Sequence, residues 1–262
     1  MTRRVLYTCS LVLAAATAFG QTPSPAAQGS TTAGRAAQTP EEIAARALAQ
    51  QQRLLNDWPN LARYRDQNLL LPPAATGEAR VVFYGDSITD AWGRVQGTFF
   101  PGKPYVNRGI SGQTTPQMVV RFRQDVVALK PKAVVILAGT NDIAGNTGPS
   151  TPEMIQDNFK SMVDIAKAND IRVVLASILP ASDYPWKPGL DPGPKIVALN
   201  TWLKQYAASR ALVYLDYYSA VGDGKLGMKP ELASDGVHPT KAGYDIMAPL
   251  AERAIADALG KQ

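Results

Sequence analysis

In the stretch RVVFYGDSIT, residues 80–89, an apolar run of strand length leads directly into a glycine, an acid and a serine, which predicts the first strand of a sheet and the turn that follows it. Four further runs of strand length follow it, and three of them are rich in Val, Ile and Leu. The predicted strands are 80–85, 105–109, 132–139, 171–178 and 211–217. Since these runs lack polar alternation, they indicate strands that are covered on both faces, as in a parallel sheet.

Amphipathic segments of helical length separate the predicted strands. We predict helices over 115–129, 151–169, 194–209 and 240–259. Strands that alternate with helices in this way form a parallel sheet with helices on each side. The sequence therefore predicts an α/β fold, a three-layer α/β/α sandwich around a doubly wound sheet of five parallel strands.

The first 39 residues differ in composition from the rest of the chain. Residues 1–20 combine Arg3 and Arg4 with an apolar run and a small-residue end. This is the pattern of a secretory signal peptide, and it is too short for a membrane span. Residues 21–39 are rich in Pro, Ser, Thr, Gly, Gln and Ala, which predicts a flexible linker. We therefore expect an exported protein, periplasmic or extracellular, without stable membrane insertion.

Two helices are predicted before the first strand. Thr39 is a candidate N-cap, and the proline and two acids after it suit a first helical turn. This helix should run to about residue 58, and a second one should cover about 60–71. We expect a single domain over 40–262 that begins with this helical extension, 40–72.

Charge and cysteine content exclude several functions. The only cysteine, Cys9, lies in the predicted signal peptide, so the mature chain would have no thiol for a disulfide, a nucleophile or a metal site. Loss of residues 1–20 removes two arginines and no acid, so the net charge falls from +5 to +3. This small, interspersed excess gives little support for nucleic-acid binding. With one histidine left, no metal site is expected.

The candidate catalytic residues follow predicted strands, at the edge where such sheets bind ligands. Ser87 could cap the next helix, serve as a nucleophile, or do both. A serine nucleophile needs a general base, and His238 is the only histidine. Asp235, three residues earlier, could hold the imidazole with Nε2 free, as in a triad. The alternative is a loop histidine beside an Asx turn.

Acyl transfer also needs hydrogen-bond donors for the developing oxyanion. The candidates are the backbone N–H of Ser87, the backbone N–H of a glycine in GISGQTT (109–115) and the side-chain amide of Asn141 in GTND (139–142). Each of these residue types also suits an ordinary turn, so none of them decides the matter alone.

Four segments of the chain, GDSIT, GISGQTT, GTND and DGVHP, closely resemble, in this order, the four sequence blocks of the SGNH (GDSL) hydrolase family. The resemblance covers the chain from about residue 80 to its end. It implies a flavodoxin-like sheet and the hydrolysis of esters or thioesters through an acyl-enzyme, with no metal and no organic cofactor.

The same resemblance implies a role for each block residue. Ser87 would be the nucleophile, Asp235 the orienting acid and His238 the base. We then expect Ser87 both to cap the next helix by its backbone position and to present its Oγ as the nucleophile. Gly112, which aligns with the glycine of the family block better than Gly109 does, would form the oxyanion hole with Asn141 and the Ser87 N–H.

Three aromatic residues are candidates for substrate binding, with local packing as the alternative for each. Tyr184 and Trp186 lie in the proline-rich loop ASDYPWKPGLDPGP (181–194), and Trp92 lies just after the nucleophile segment. We expect a small-molecule or glycan ester as substrate, with short acyl groups that include carbohydrate acetyl groups. The alternatives are a lysophospholipase or lipase-like acylhydrolase, a thioesterase, and a non-catalytic glycan-binding module. The sequence does not define the oligomeric state.

Overall fold

The structure is a computed structural model that describes residues 39–260, without the side chains of Arg46, Gln50, Arg53 and Leu54. Ala44–Gln262 form one compact unit, which contains the sheet and the candidate site. The predicted signal peptide and all of the predicted linker except Thr39 lie outside the described residues. No helix within residues 39–260 is long and apolar enough to cross a bilayer.

One sheet of five parallel strands forms the centre of this unit. The strands are β1 (Val81–Gly85), β2 (Tyr105–Gly109), β3 (Ala133–Leu137), β4 (Arg172–Ala176) and β5 (Val213–Leu215). Their spatial order is β2-β1-β3-β4-β5. This is the flavodoxin-like order, in which the chain reverses its direction of winding between β1 and β3, and ligands bind at that reversal.

Helices cover both faces of the sheet. The α-helices of the described chain are α1 (Pro40–Asn56), α2 (Arg65–Leu70), α3 (Ser87–Ala91), α4 (Thr115–Asp125), α5 (Thr140–Ile143), α6 (Pro152–Lys167), α7 (Pro192–Ser209), α8 (Tyr217–Val221) and α9 (Lys241–Gly260). Short 3₁₀ helices cover Val127–Leu129 and Pro230–Leu232.

The strands bury apolar side chains on both faces. On β1, Val82 and Tyr84 pack with side chains of α4, α6 and α7. Val81 and Phe83, which point the other way, pack with side chains of α3, α8 and α9. Because neither face of the sheet is left to water, polar alternation is absent from the strands. The predicted three-layer α/β/α sandwich is confirmed.

All five predicted strands are present, each within the predicted bounds. The last one ends earlier than predicted, because the Asp216 carboxylate accepts a hydrogen bond from the Ser219 N–H and starts α8 at Tyr217. The predicted N-cap of α1 is confirmed, since Thr39 Oγ1 accepts from the Glu42 N–H and the Thr39 N–H donates back to the Glu42 carboxylate.

The predicted helix over 60–71 is shorter than expected. The two carboxylate oxygens of Asp57 accept from the N–H groups of Leu61 and Ala62. These bonds stabilise a run of turns, so regular helix begins only at Arg65. Asp and Asn side chains commonly compete with helical hydrogen bonds in this way.

Candidate active site

Ser87 lies at the reversal point of the sheet, two residues after the end of β1. Its neighbour Asp86 is the N-cap of α3, because the Asp86 side chain accepts a hydrogen bond from the Ile88 N–H at 3.0 Å. The expectation that Ser87 caps this helix is therefore wrong, and Ser87 is the first helical residue. Its hydroxyl, which the cap does not use, lies 2.9 Å from Nε2 of His238.

His238 lies between Ser87 and Asp235. Its Nδ1 is 2.7 Å from Oδ2 of Asp235, and the other oxygen of that carboxylate accepts from the backbone N–H groups of Val237 and His238. Since the ring can donate from Nδ1 to a carboxylate, its Nε2 is left as the acceptor for the Ser87 hydroxyl. The structure thus brings together the three residues that the sequence suggested as a triad.

The Asp235 carboxylate is held in its charged form. Partial burial opposes ionisation, but the hydrogen bonds from the backbone N–H and imidazole of His238 and from the Val237 N–H outweigh it and lower the pKa of Asp235. A charged carboxylate at this position stabilises an imidazolium at His238.

Three donors lie at the predicted oxyanion positions. Within residues 39–260, the backbone N–H groups of Ser87 and Gly112 donate to no protein acceptor. Asn141 follows β3 in α5, where its Nδ2 donates to the Gln113 carbonyl at 3.0 Å and its Oδ1 accepts from Asn146 Nδ2 at 2.9 Å. One of the two hydrogens on Nδ2 orients the side chain, and the other is available for a ligand.

Gly109 and Gly112 are glycines for different reasons. A Cβ on Gly109 would lie 2.2 Å from the Asp90 backbone nitrogen, so α3 can pack against the end of β2 only if this position has no side chain. Gly112 has open space around its Cβ position, but its φ of +79° is a left-handed conformation that favours glycine. Gly109 therefore serves packing, whereas Gly112 serves the shape of the loop.

A buried arginine connects the strand ends near Ser87 through hydrogen bonds. Arg121 of α4 is fully buried, forms an ion pair with Asp125 and stacks on the Tyr84 ring. Its guanidinium also donates to the carbonyls of Gly85 and Arg108 and to the side chain of Gln113. The planar, multi-donor head of arginine suits this bridging of three segments, and lysine could not reproduce it.

A second polar bridge joins α3 to the loop that contains Gly112. Ser111 Oγ donates to Asp90 Oδ2 at 2.6 Å. Arg63 and Arg94 approach the same carboxylate at 3.5 and 3.4 Å. Neither Asp90 nor Ser111 was predicted from the sequence, and only the helical spacing of Asp90 from Ser87 hints that the two residues share a face.

An open depression of about 480 Å³ lies over Ser87 and His238. Its apolar lining residues are Ala91, Val95 and Pro239. Arg94, Lys241 and Ser111 supply charged and polar lining. The depression therefore offers both apolar and charged surface beside Ser87.

The three aromatic candidates have different positions. Trp92 is buried in a cluster with Phe83, Phe100 and Tyr244 and belongs to the core. Tyr184 is also fully buried, with its hydroxyl bonded to Thr140. The interpretation of Trp92 and Tyr184 as direct substrate contacts is therefore corrected, since neither side chain is accessible.

Trp186 is the one aromatic candidate that faces the site. It is 41% exposed, its ring is stacked on Tyr184 with centroids 4.9 Å apart, and it lies 6.0 Å from the His238 ring. Lys187 holds the same loop by donating to the Ala144 carbonyl.

Within the described part of the chain, no three His, Cys, Asp or Glu side chains are close enough together to hold a metal ion.

Comparison with known proteins identifies the class to which this fold and site belong. The model of the GDSL-like lipase/acylhydrolase family matches residues 83–246. The crystal structure of a GDSL-like lipase from Bacteroides thetaiotaomicron superposes with a TM-score of 0.75 and 43% sequence identity, over 77% of this chain and 100% of that one. The chain belongs to this family, which confirms the predicted resemblance to the SGNH (GDSL) hydrolases.

Relatives of known activity extend this assignment. An acetylxylan esterase from Geobacillus stearothermophilus is 28% identical over 204 residues, which are 64% of this chain and 90% of the relative. Esterase TesA from Pseudomonas aeruginosa is 29% identical over 137 residues, which are 52% of this chain and 62% of the relative. The protein is an ester-hydrolysing enzyme.

Proposed function

We propose that this enzyme hydrolyses short-acyl carboxylic esters, including acetyl esters of carbohydrates, through a Ser87–His238–Asp235 triad and an acyl-enzyme. The observation that carries the proposal is the chain of two hydrogen bonds, 2.9 Å from Ser87 Oγ to His238 Nε2 and 2.7 Å from His238 Nδ1 to Asp235 Oδ2. These distances match those by which a base activates a serine and an acid orients the base.

In the first step, Ser87 Oγ attacks the ester carbonyl carbon while its proton passes to His238 Nε2. The imidazolium that forms is stabilised by the charged Asp235 carboxylate, whose lowered pKa keeps it ionised. When the tetrahedral intermediate collapses, the C–O bond to the alcohol breaks. The departing alkoxide takes the proton from Nε2, and the acyl group stays on Ser87.

Three hydrogen-bond donors stabilise the negative charge of the intermediate: the Ser87 N–H, the Gly112 N–H and the second hydrogen of Asn141 Nδ2. The bond from Nδ2 to the Gln113 carbonyl fixes the direction of this amide beforehand. Preorganised donors of this kind stabilise the transition state because they need no rearrangement as charge develops.

In the second step, water replaces the alcohol. His238 Nε2 removes a proton from the water as the water oxygen attacks the acyl carbon, and the second tetrahedral intermediate releases the carboxylic acid. The proton on Nε2 returns to Ser87 Oγ. Each residue is restored, so the cycle needs no cofactor.

Three observations favour short acyl groups and carbohydrate esters. The apolar residues beside Ser87 are Ala91, Val95 and Pro239, and Arg94 and Lys241 line the same depression, so a long alkyl chain would meet charged side chains there. The exposed Trp186 ring, 6.0 Å from the His238 ring, supplies an aromatic wall for the alcohol part of the substrate. The similarity to an acetylxylan esterase points the same way. With the signal peptide predicted over 1–20, we place this activity outside the cytoplasm.

The test is hydrolysis of p-nitrophenyl esters from acetate to palmitate by the wild-type protein and by Ser87→Ala. We expect turnover that is highest at acetate or butyrate and is lost in Ser87→Ala. Ser161→Ala, a change of an exposed serine in α6, is the matched control and should keep wild-type rates. A maximum at octanoate or longer would support a lipase-like enzyme instead, and turnover that survives in Ser87→Ala would exclude this nucleophile.

A further inference from the structure

A second depression, of about 300 Å³, adjoins the loop that contains Gly112. Ser111 lines both this depression and the one over Ser87, so the two are adjacent at the loop that contains Ser111 and Gly112. The other walls come from Trp58 and Asn60, which precede the sheet, and from Asn146 and Thr147, which follow α5. A group bound in this depression would therefore lie next to the proposed oxyanion donors.

The wall formed by Trp58 and Asn60 is held rigidly by two buried glutamines. Gln117 of α4 donates from Nε2 to the Trp58 carbonyl, and Gln113 donates from Nε2 to the Pro59 carbonyl, each at 2.6 Å. Both glutamines are less than a twentieth exposed. Because this wall is fixed before a ligand arrives, binding there would cost little conformational entropy.

The lining combines one aromatic ring with uncharged polar groups. Trp58 is 39% exposed, and the side chains of Asn60 and Thr147 offer an amide and a hydroxyl group. Asn146 offers its Oδ1 as an acceptor, since its Nδ2 already donates to Gly112 and Asn141. The lining includes no lysine or arginine, and its one acid, Asp57, uses both carboxylate oxygens to bind backbone N–H groups. This chemistry matches an uncharged ligand that has an apolar face and a rim of hydroxyl groups, as a pyranose ring does.

We propose that this depression is a sugar-binding subsite for uncharged, O-acetylated glycans. A pyranose ring stacks on Trp58, its hydroxyl groups bind the amides of Asn60 and Asn146, and its acetyl group reaches Ser87 across the Ser111–Gly112 loop. The inference rests on the proposed function for the reaction itself, and it assigns one sugar ring of the alcohol part of the substrate to the segment 57–60 that precedes the sheet.

The kinetic test compares wild type with Trp58→Ala on two substrates, p-nitrophenyl acetate and acetylated xylo-oligosaccharides. We expect the ratio of kcat/KM for the oligosaccharide to kcat/KM for p-nitrophenyl acetate to fall about tenfold in Trp58→Ala, through a higher KM. Trp202→Ala in α7 is the matched control, because Trp202 stacks on Tyr206 and does not line the depression. It should leave the ratio unchanged. Thermal unfolding of both variants checks that they are folded.

A binding measurement separates this inference from the proposed reaction. Calorimetry with unacetylated xylo-oligosaccharide and Ser87→Ala protein should give a Kd that rises about tenfold when Trp58→Ala is added. An equal Kd with and without Trp58, or an unchanged kinetic ratio, would overturn the subsite. Failure of the wild type to cleave p-nitrophenyl acetate would overturn the proposed function alone, because a binding loss at Trp58 would still support the subsite.

Discussion

Ser111 Oγ donates a 2.6 Å hydrogen bond to Asp90 Oδ2, and this bond joins the loop of Gly112 to the helix that begins at Ser87. The two residues are 21 positions apart in the chain. They meet because β1 and β2 are paired in register, with Gly85 opposite Gly109, so the segments that follow these strands leave the sheet side by side.

The bond between Ser111 and Asp90 should position the Gly112 donor. We expect Ser111→Ala to lower kcat on p-nitrophenyl acetate about tenfold with little change in KM, since a misplaced donor weakens binding of the transition state more than binding of the ester. Ser111→Thr, which keeps the hydroxyl, should recover most of the loss. A wild-type kcat in Ser111→Ala would show that the loop keeps its position without this bond.

His238→Ala should reduce kcat by several orders of magnitude, because His238 is the only histidine of the chain and no other imidazole can replace it as base. Steady-state rates on p-nitrophenyl acetate measure the effect. Added imidazole should restore part of the rate to His238→Ala and none to Ser87→Ala. Near-normal turnover in His238→Ala would rule out the proposed mechanism.

Alanine at Gly109, the last residue of β2, should lower stability more than alanine at the loop residue Gly112. Gly109→Ala forces a Cβ to within 2.2 Å of the Asp90 nitrogen, and we expect the Tm to fall by about 5 °C or more. Gly112→Ala meets no atom within 4 Å, so it should lower Tm by only a few degrees through its φ of +79°. Its kcat should nevertheless fall, because the loop donor moves. Equal losses of Tm in the two variants would contradict this distinction.

Asp86 should make stability depend on pH. Burial raises its pKa to about 7, and Asp142 adds to this, although the Ile88 N–H and His238 oppose it. The pKa of this carboxyl in the unfolded chain is about 3.9. Between about pH 4 and 7, the native state therefore keeps a proton on Asp86 that the unfolded state releases. The contribution of the protonated Asp86 to the free energy of unfolding is fully present below about pH 4 and is lost as the pH rises to about 7.

The measurement for Asp86 is Tm between about pH 4 and 8 for wild type and for Asp86→Asn, whose side chain resembles the protonated acid. We expect Asp86→Asn to gain stability relative to wild type as the pH rises. Asp142, whose pKa burial raises to about 6, is present in both proteins, so the part of its contribution that does not depend on Asp86 cancels in the comparison. Asp157→Asn, at an exposed position in α6, is the control. Parallel Tm curves for Asp86→Asn and wild type would exclude this role of Asp86.

The strands were predictable because burial on both faces leaves a continuous apolar run in the sequence. The meeting of Ser87, Asp235 and His238 was predictable because each residue follows a strand or precedes the last helix within a short, distinctive motif. Local propensity could not decide between Asp86 and Ser87 as the N-cap of α3, since both residue types are good caps.

Features that depend on distant parts of the chain were not predictable. Whether Trp92 faces the site or the core depends on Phe100 and Tyr244, whose positions beside it are set only by the tertiary fold. The role of Arg121 depends on carbonyls of two neighbouring strands, and nothing in its own helix indicates it. Such contacts are set by the packing of the sheet against its helices.

The single histidine gives this enzyme a built-in spectroscopic probe. In most proteins, imidazole resonances must be assigned one by one before a single ring can be followed. Here the sequence supplies only one ring, and the structure places it between Ser87 and Asp235. Its magnetic-resonance titration would therefore report the protonation and tautomer of the site directly, in the free protein and through every stage of inhibition or turnover.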